Sequence, residues 1–320
     1  MTTLTCPHCN QPFEAMEDLA GRRIHCPNCG QSLAVPNSVA ALVPQAQVVA
    51  QAHVVAQAQG PLNPASLRDP KEGTAFGWLV AFSIMLWIFL VIGIISSRGG
   101  LLLIIGFVAL MQRFAQLFAA AYIKTNAVEV SDRQFPEIQN LASAFAQRLE
   151  QPLPTIYVMQ DSVWNAFATK LAGKRMVVLF SGAVDSLLLK GSMTQIAWLV
   201  GHELGHHYAG HLNFWRHTTA QLGSWAVWFG LWYRRRCELT CDRYGLACAN
   251  SLQESLNAVC NMSVGAQLAS KVNVEQAIAQ WNQYRSEFFV RYRTMYSGHP
   301  HNLWRLEALQ SAARELRISR

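Results

Sequence analysis

The chain has 320 residues, enough for one good core with accessory segments. Hydrophobic residues make up 51% of it and charged residues only 14%, well under the usual quarter, a balance that points to a membrane protein. The net charge is +7, but the positive residues are scattered. They form no nucleic-acid stripe, so nucleic acid is not an expected partner.

The N-terminus runs straight from Met1-Thr2-Thr3-Leu4-Thr5 into cysteines, with no basic region and no early apolar stretch, so no cleavable signal peptide is expected. Cys6, Cys9, Cys26 and Cys29 form two Cys-x-x-Cys pairs with sixteen residues between them. Four thiolates can close a tetrahedral structural zinc site, and metal would supply the stability that so short a segment lacks. Residues 1–36 therefore resemble a zinc ribbon. The other cysteines, Cys237, Cys241, Cys248 and Cys260, are spread over a later helical region. Nothing suggests a dense disulfide scaffold, so a reducing compartment fits better.

Residues 37–72 are rich in Ala, Val, Gln and Pro and contain a near-repeat, Ala46–Gln51 and Ala52–Gln57. With few large apolar groups they read as a flexible linker. Ala75 to Ser96 is almost uninterrupted apolar sequence, long enough to span a bilayer. A second run, residues 101–123, is broken by Gln112, Arg113 and Gln116. An arginine at mid-membrane costs about 2.5–3.5 kcal/mol on insertion scales, so Arg113 either reaches an interface or faces protein. Residues 73–124 thus form a membrane region of one or two helices. If both span, ribbon and C-terminal domain share one side, and reduced thiols favour the cytoplasm for it.

From 125 to 320 the pattern is that of a globular domain. Phe135 to Leu149 suits a helix; Thr155–Met159 and Met176–Phe180 suit short strands, the latter expected at a sheet edge. Few strands among many helices make the domain α+β. The Trp-rich run Leu222–Tyr233 is too short to span and either packs inside the domain or touches the membrane interface.

The chemistry centres on His202-Glu203-Leu204-Gly205-His206. On a helix, residues four apart share a face, so both imidazoles can reach one Zn²⁺. Glu203 then lies beside the zinc-bound water and can take its proton. Ser192 to Val200 supplies the preceding turns with an apolar stripe. His207 and His211 are also four apart but lack the intervening Glu, and read as solvated or as supporting the ligands from behind. For a third ligand, Glu238 and Asp242 share a helical face; Glu238 can ligate while Asp242 accepts the second N–H of a ligating His. Cys237 and Cys241 could in principle bind metal, but free cysteines are commonly small buried groups.

Four blocks in order carry a family resemblance: Asn165-Ala166-Phe167-Ala168; His202 to His206; Arg235 with Glu238 and Asp242; and Gly298-His299-Pro300 with Arg305 and Leu309. The chain resembles a gluzincin metallopeptidase of the HtpX and CAAX-prenyl endopeptidase family over about residues 125 to 310. The resemblance implies a mainly helical zincin-type domain with a small sheet; the transmembrane hairpin and the ribbon ahead of it are read from the residues themselves, and the ribbon is not part of the family core. It implies Zn²⁺ on His202, His206 and Glu238, Glu203 as base, Asp242 behind the ligands, and Asn165 and His299 near substrate or oxyanion. Two departures stand out. Arg234 and Cys241 replace the family's Ser and Ala, and only about thirty residues separate the metal helix from Glu238, too few for the two further spans of HtpX-like members.

The expected function is a membrane-anchored zinc endopeptidase with one catalytic and one structural Zn²⁺, acting on protein or peptide substrates at a lipid bilayer. The alternative is an inactive membrane adaptor whose ribbon binds a protein partner.

Overall fold

The computed structural model describes residues 2–6, 8–9, 11–15, 23–34, 60–189, 192–223 and 227–318. The repeat at 46–57 and most of the expected linker lie outside these residues. The chain divides into two compact units, Met1–Val49 and Ala50–Arg320.

The first unit is built of two antiparallel hairpins, β1 (Thr2–Thr5) with β2 (Pro12–Ala15), and β3 (Arg23–His25) with β4 (Ser32–Ala34). Each turn carries one cysteine pair, and each first cysteine makes the same backbone bond, Cys6 N–H to Gln11 O at 3.0 Å and Cys26 N–H to Gln31 O at 2.9 Å. The four sulfurs converge, with Cys6 Sγ 3.7 Å from Cys29 Sγ and Cys9 Sγ 3.7 Å from Cys26 Sγ. A tetrahedron of roughly 2.3 Å Zn–S bonds has edges of about 3.8 Å, so these spacings fit one zinc ion.

In the second unit the expected linker ends early. Residues 60–71 lie on the domain rather than free of it: Leu62 N–H bonds Arg148 O, Asp69 N–H bonds Thr240 Oγ1, and Leu67 is buried. Two long helices follow, α1 (Glu72–Ser96) and α2 (Gly100–Asn126). Both are long and apolar enough to cross a membrane. At 1.5 Å per residue they measure about 37 and 40 Å, against a hydrocarbon core of about 30 Å. The second run is one continuous helix through Arg113, whose side chain is exposed. Gly99, at φ +86°, makes the left-handed turn between the helices.

β5 (Ala127–Glu129), β6 (Thr155–Met159), β7 (Ala166–Leu171) and β8 (Lys174–Phe180) form one sheet in the order β5-β6-β8-β7. β6 and β8 run parallel and the outer pairs antiparallel. Met176–Phe180 is therefore interior, not the expected edge; Val177, Val178 and Leu179 are fully buried. The edges are β5 and β7, the latter folded back through the Ala172-Gly173 turn onto β8. Its half-polar Ala-Phe-Ala-Thr-Lys-Leu gives a weak strand signal.

Helix α3 (Pro136–Arg148) lies between β5 and β6 in sequence, and α4 (Ser181–Leu188) follows β8. Helix α5 (Met193–Tyr208) starts at Ser192, whose hydroxyl accepts from Gln195 N–H and donates to Glu254. Helix α6 (Phe214–Gly223) leads to α7 (Val227–Ala249), which packs along α5. The two backbones meet where side chains are small: a Cβ on Gly201 would come within 2.4 Å of Cys248 Cβ, and one on Gly245 within 2.7 Å of Trp198 O. Gly201→Ala should therefore cost about 1–3 kcal/mol by overpacking, read as a lower denaturant midpoint. An unchanged midpoint would mean that the helices have slack.

The Trp-rich run is described except for residues 224–226, Trp225 among them, which lie outside the described residues. Phe229 and Trp232 pack on Ala75 and Leu79 of α1, while Val227 and Trp228 stay exposed. Ser83 in α1 donates to Thr219 O of α6, so this short helical pair occupies the flank of α1. Helices α8 (Leu252–Val264), α9 (Ala266–Ala269), α10 (Val274–Tyr284), α11 (Phe288–Met295) and α12 (Asn302–Leu316) complete the domain.

Candidate active site

A cleft of about 320 Å³ opens between β7, α5 and α7, lined by Asn165, Phe167, His202, Glu203, Glu238 and His299 among others. α5 supplies His202, Glu203 and His206 on adjacent turns; α7 supplies Glu238 opposite. His202 Nε2 lies 3.4 Å from Glu238 Oε2, and His206 Nε2 3.7 Å from Glu238 Oε1. Bonds of about 2.0–2.2 Å in a tetrahedron give edges of about 3.3–3.6 Å, so the three side chains fit a single Zn²⁺.

The atoms facing away from that point are also held. His202 Nδ1 is 3.0 Å from Asp242 Oδ1, and Arg305 donates to both oxygens of Asp242 from Nε and Nη2. Arg305 lies over the Trp198 ring at 5.3 Å, so its charge is packed as well as paired. His207 Nε2, 3.0 Å from Met176 O, ties α5 to the sheet. His207 and His211 are buried, so the solvated reading of that pair is corrected; His211 lies directly behind His206, with Nδ1 to Nδ1 3.3 Å.

The electrostatics favour a cation. Burial alone would raise Glu238 and Asp242, but His202 and His299 beside Glu238, and Arg305 and His202 beside Asp242, hold both below the usual carboxylate range. Burial would lower His202, yet these carboxylates outweigh it and raise it to about 10, while burial holds His206 down to about 3. Glu203 differs: burial, reinforced by the Glu238 charge, pushes it up to about 7. Its Oε2 is buried without a hydrogen-bond partner among the described residues. A buried carboxylate oxygen left open in a cleft is costly unless a ligand or water completes it.

Cys241 Sγ also lies within ligand distance of His202 and His206. It does not line the cleft, whereas Glu238 does. Burial, with Glu238, Cys237, Glu203 and Asp242 around it, raises its thiol well above the usual value, so it stays protonated and is a poor ligand. Cys237, Cys248 and Cys260 are likewise buried, as small core groups.

His299 Nδ1 reaches Glu238 Oε2 at 3.3 Å from an otherwise exposed position. Asn165 sits at the mouth, its Oδ1 accepting from Ala166 N–H, and its carbonyl accepts from Phe180 N–H, which fixes the start of β7.

The model of peptidase family M48 matches residues 132–227 and 214–313, more than half of the chain. The chain belongs to peptidase family M48. The matched region contains every element of the M48 cleft described above. Among curated relatives, a protein named Protease HtpX homolog from Thermodesulfovibrio yellowstonii is 30% identical over 135 residues, covering 38% of this chain and 45% of the relative. A Protease HtpX homolog from Ralstonia nicotianae is 29% identical over 137 residues, covering 41% and 47%. One from Streptococcus thermophilus is 27% identical over 113 residues, covering 35% and 37%. The chain thus spans less than half the length of these relatives. No solved structure matches it.

Two parts of this M48 site were not legible in the sequence: β7 as the edge strand beside the cleft, and the polar cluster behind His206. The signals were faint. β7 lacks β-branched runs, and Glu72, which closes that cluster, is a single carboxylate before an apolar helix.

Proposed function

We propose that this chain is a membrane-anchored zinc-dependent endopeptidase. The observation that carries the reading is the convergence of His202, His206 and Glu238 on one point, with the unpartnered oxygen of Glu203 beside it. M48 peptidases depend on zinc, and bound here the ion would polarise the scissile carbonyl and acidify the attacking water. Glu203 takes the proton from that water and returns it to the leaving amine. Asp242, braced by Arg305, keeps the His202 proton on Nδ1 and Nε2 free to ligate. His299 and Asn165 line the cleft and are placed to meet substrate or the developing oxyanion. A substrate strand would pair along the open side of β7 by β-augmentation, its scissile bond passing over the cleft.

A second zinc ion would sit on Cys6, Cys9, Cys26 and Cys29, as a structural element of the first unit. Glu238→Ala should lower the metal content from two ions per chain to one and abolish cleavage; full retention of two would remove Glu238 from the ligand set. Deleting residues 1–36 should leave peptide cleavage intact. Loss of a binding partner with no cleavage by either form would instead favour the adaptor reading. We place the ribbon and the peptidase unit on the cytoplasmic side, on the ground of their unpaired thiols.

A further inference from the structure

Behind His206 lies a buried chain of polar groups that the proposed reaction does not use. His206 Nε2 faces Glu238, and its other nitrogen, Nδ1, is 3.3 Å from Nδ1 of His211. The two rings meet edge to face, centroids 5.4 Å apart. His211 Nε2 lies 3.4 Å from Glu72 Oε1, close enough for an ion-pair contact but without hydrogen-bond geometry, and has no hydrogen-bond partner among the described residues. Glu72 is 1% exposed and stands in the first turn of α1, the first of the two membrane-length helices. Its Oε1 also accepts from Arg68 and Arg216, and its Oε2 from Thr240, two residues beyond Glu238.

Once His206 ligates through Nε2, one proton arrangement links this chain; Cys241 Sγ, 3.7 Å from His211 Nδ1, faces the same nitrogen at longer range. The remaining His206 proton must then be on Nδ1, and it donates to His211 Nδ1. That leaves the His211 proton on Nε2, the nitrogen nearest the Glu72 carboxylate, which can only accept. The arrangement parallels Asp242 behind His202, with one imidazole inserted between carboxylate and ligand.

We propose that His211 and Glu72 are positioning residues for His206, so that the first turn of the first apolar helix is part of the metal centre. This rests on the reading of His202, His206 and Glu238 as zinc ligands. A separate ion on Glu72, His211 and Cys237, whose ligand atoms also cluster, is disfavoured. Glu72 already holds two guanidinium groups, which would repel a dication, and burial keeps the Cys237 thiol protonated.

The test uses the full chain in detergent, with zinc affinity measured by chelator competition and Co²⁺ substitution read in the visible spectrum. The catalytic-site phase is the one that Glu238→Ala removes; if Glu238→Ala removes none, the ligand reading itself fails. His211→Ala should weaken that phase about 10–100-fold and shift its Co²⁺ bands. His211→Asn, whose amide oxygen can accept from His206 Nδ1, should recover much of the loss, which a merely space-filling role would not produce. Glu72→Gln should weaken the same phase to a smaller extent while the ribbon's cobalt–thiolate absorption stays unchanged. Unaltered affinity and spectrum in His211→Ala, or equal losses in the Ala and Asn variants, would overturn the proposal. If Glu72→Gln does not fold, the His211 pair decides.

Discussion

Glu203→Gln will lower kcat by about 10²–10⁴-fold or more at unchanged zinc content, the usual range for removing a general base. The amide has nearly the same shape, so the packing of α5 survives, but it cannot accept a proton from water. Glu203 does not ligate in the proposed arrangement, and His202, His206 and Glu238 remain. The acid limb of the activity profile follows from the same group. Burial raises its carboxyl to about 7, so the base is protonated and idle below that region and competent above it. A bound dication would pull the midpoint lower. The kcat/KM of the wild-type chain should therefore rise with pH through the neutral-to-acid range, and the residual rate of the Gln variant should lack that limb. Equal turnover at equal zinc would remove Glu203 from the mechanism.

Arg305→Met will destabilise the peptidase unit by about 3–5 kcal/mol at neutral pH, the cost of leaving a buried charge without its partner. Arg305 and Asp242 are 6% and 2% exposed and are joined by a two-pronged contact. Methionine fills much of the space but leaves Asp242 with His202 alone. The sign of the pH dependence is fixed by the lowered pKa of Asp242. Its contribution to stability is present above the unfolded value, about 3.9, and is lost as pH falls through the lower folded value. The deficit of Arg305→Met should accordingly shrink in acid. Denaturant midpoints at pH 7 and at about pH 2–3, below the unfolded value, test both parts; a deficit below about 0.5 kcal/mol at neutral pH would show that the pair is not buried in solution.

The parts of the molecule that were legible in the sequence are those fixed by strong local patterns. The helix from Phe135, the strands Thr155–Met159 and Met176–Phe180, and the metal helix beginning at Ser192 lie where periodicity and capping put them. What depended on tertiary pairing was not legible. Met176–Phe180 carries as strong a strand pattern at an edge as in the middle of a sheet, and only the fold-back of Ala166–Leu171 makes it interior. The linker boundary failed for a similar reason: residues 60–71 have a loop's composition, yet Leu67 and Asp69 find partners across the domain. The structure brings His202, His206 and Glu238 together, and their spacing on α5 and α7 is itself a local pattern. The cluster of Glu72, His211 and Arg216 was not legible, since residues 139 or more apart in sequence meet only once α1 is packed against α6 and α7.

The departure from HtpX-like members also has a physical form. Between the metal helix and Glu238 this chain has α6 and the first turns of α7 laid against α1, with Ser83 bonded to Thr219 and Gly223 against Leu79. Among the described residues, the helices long and apolar enough to cross a membrane are α1 and α2.

The most direct measurement is cleavage of an unfolded protein by the purified full chain in detergent, before metal removal, after chelation, and after zinc is restored. A zinc endopeptidase must cleave, stop and resume, with the Glu203→Gln form inactive at the same zinc content. Cleavage that persists in the metal-free chain, or that the Glu203→Gln form matches, would contradict the assignment.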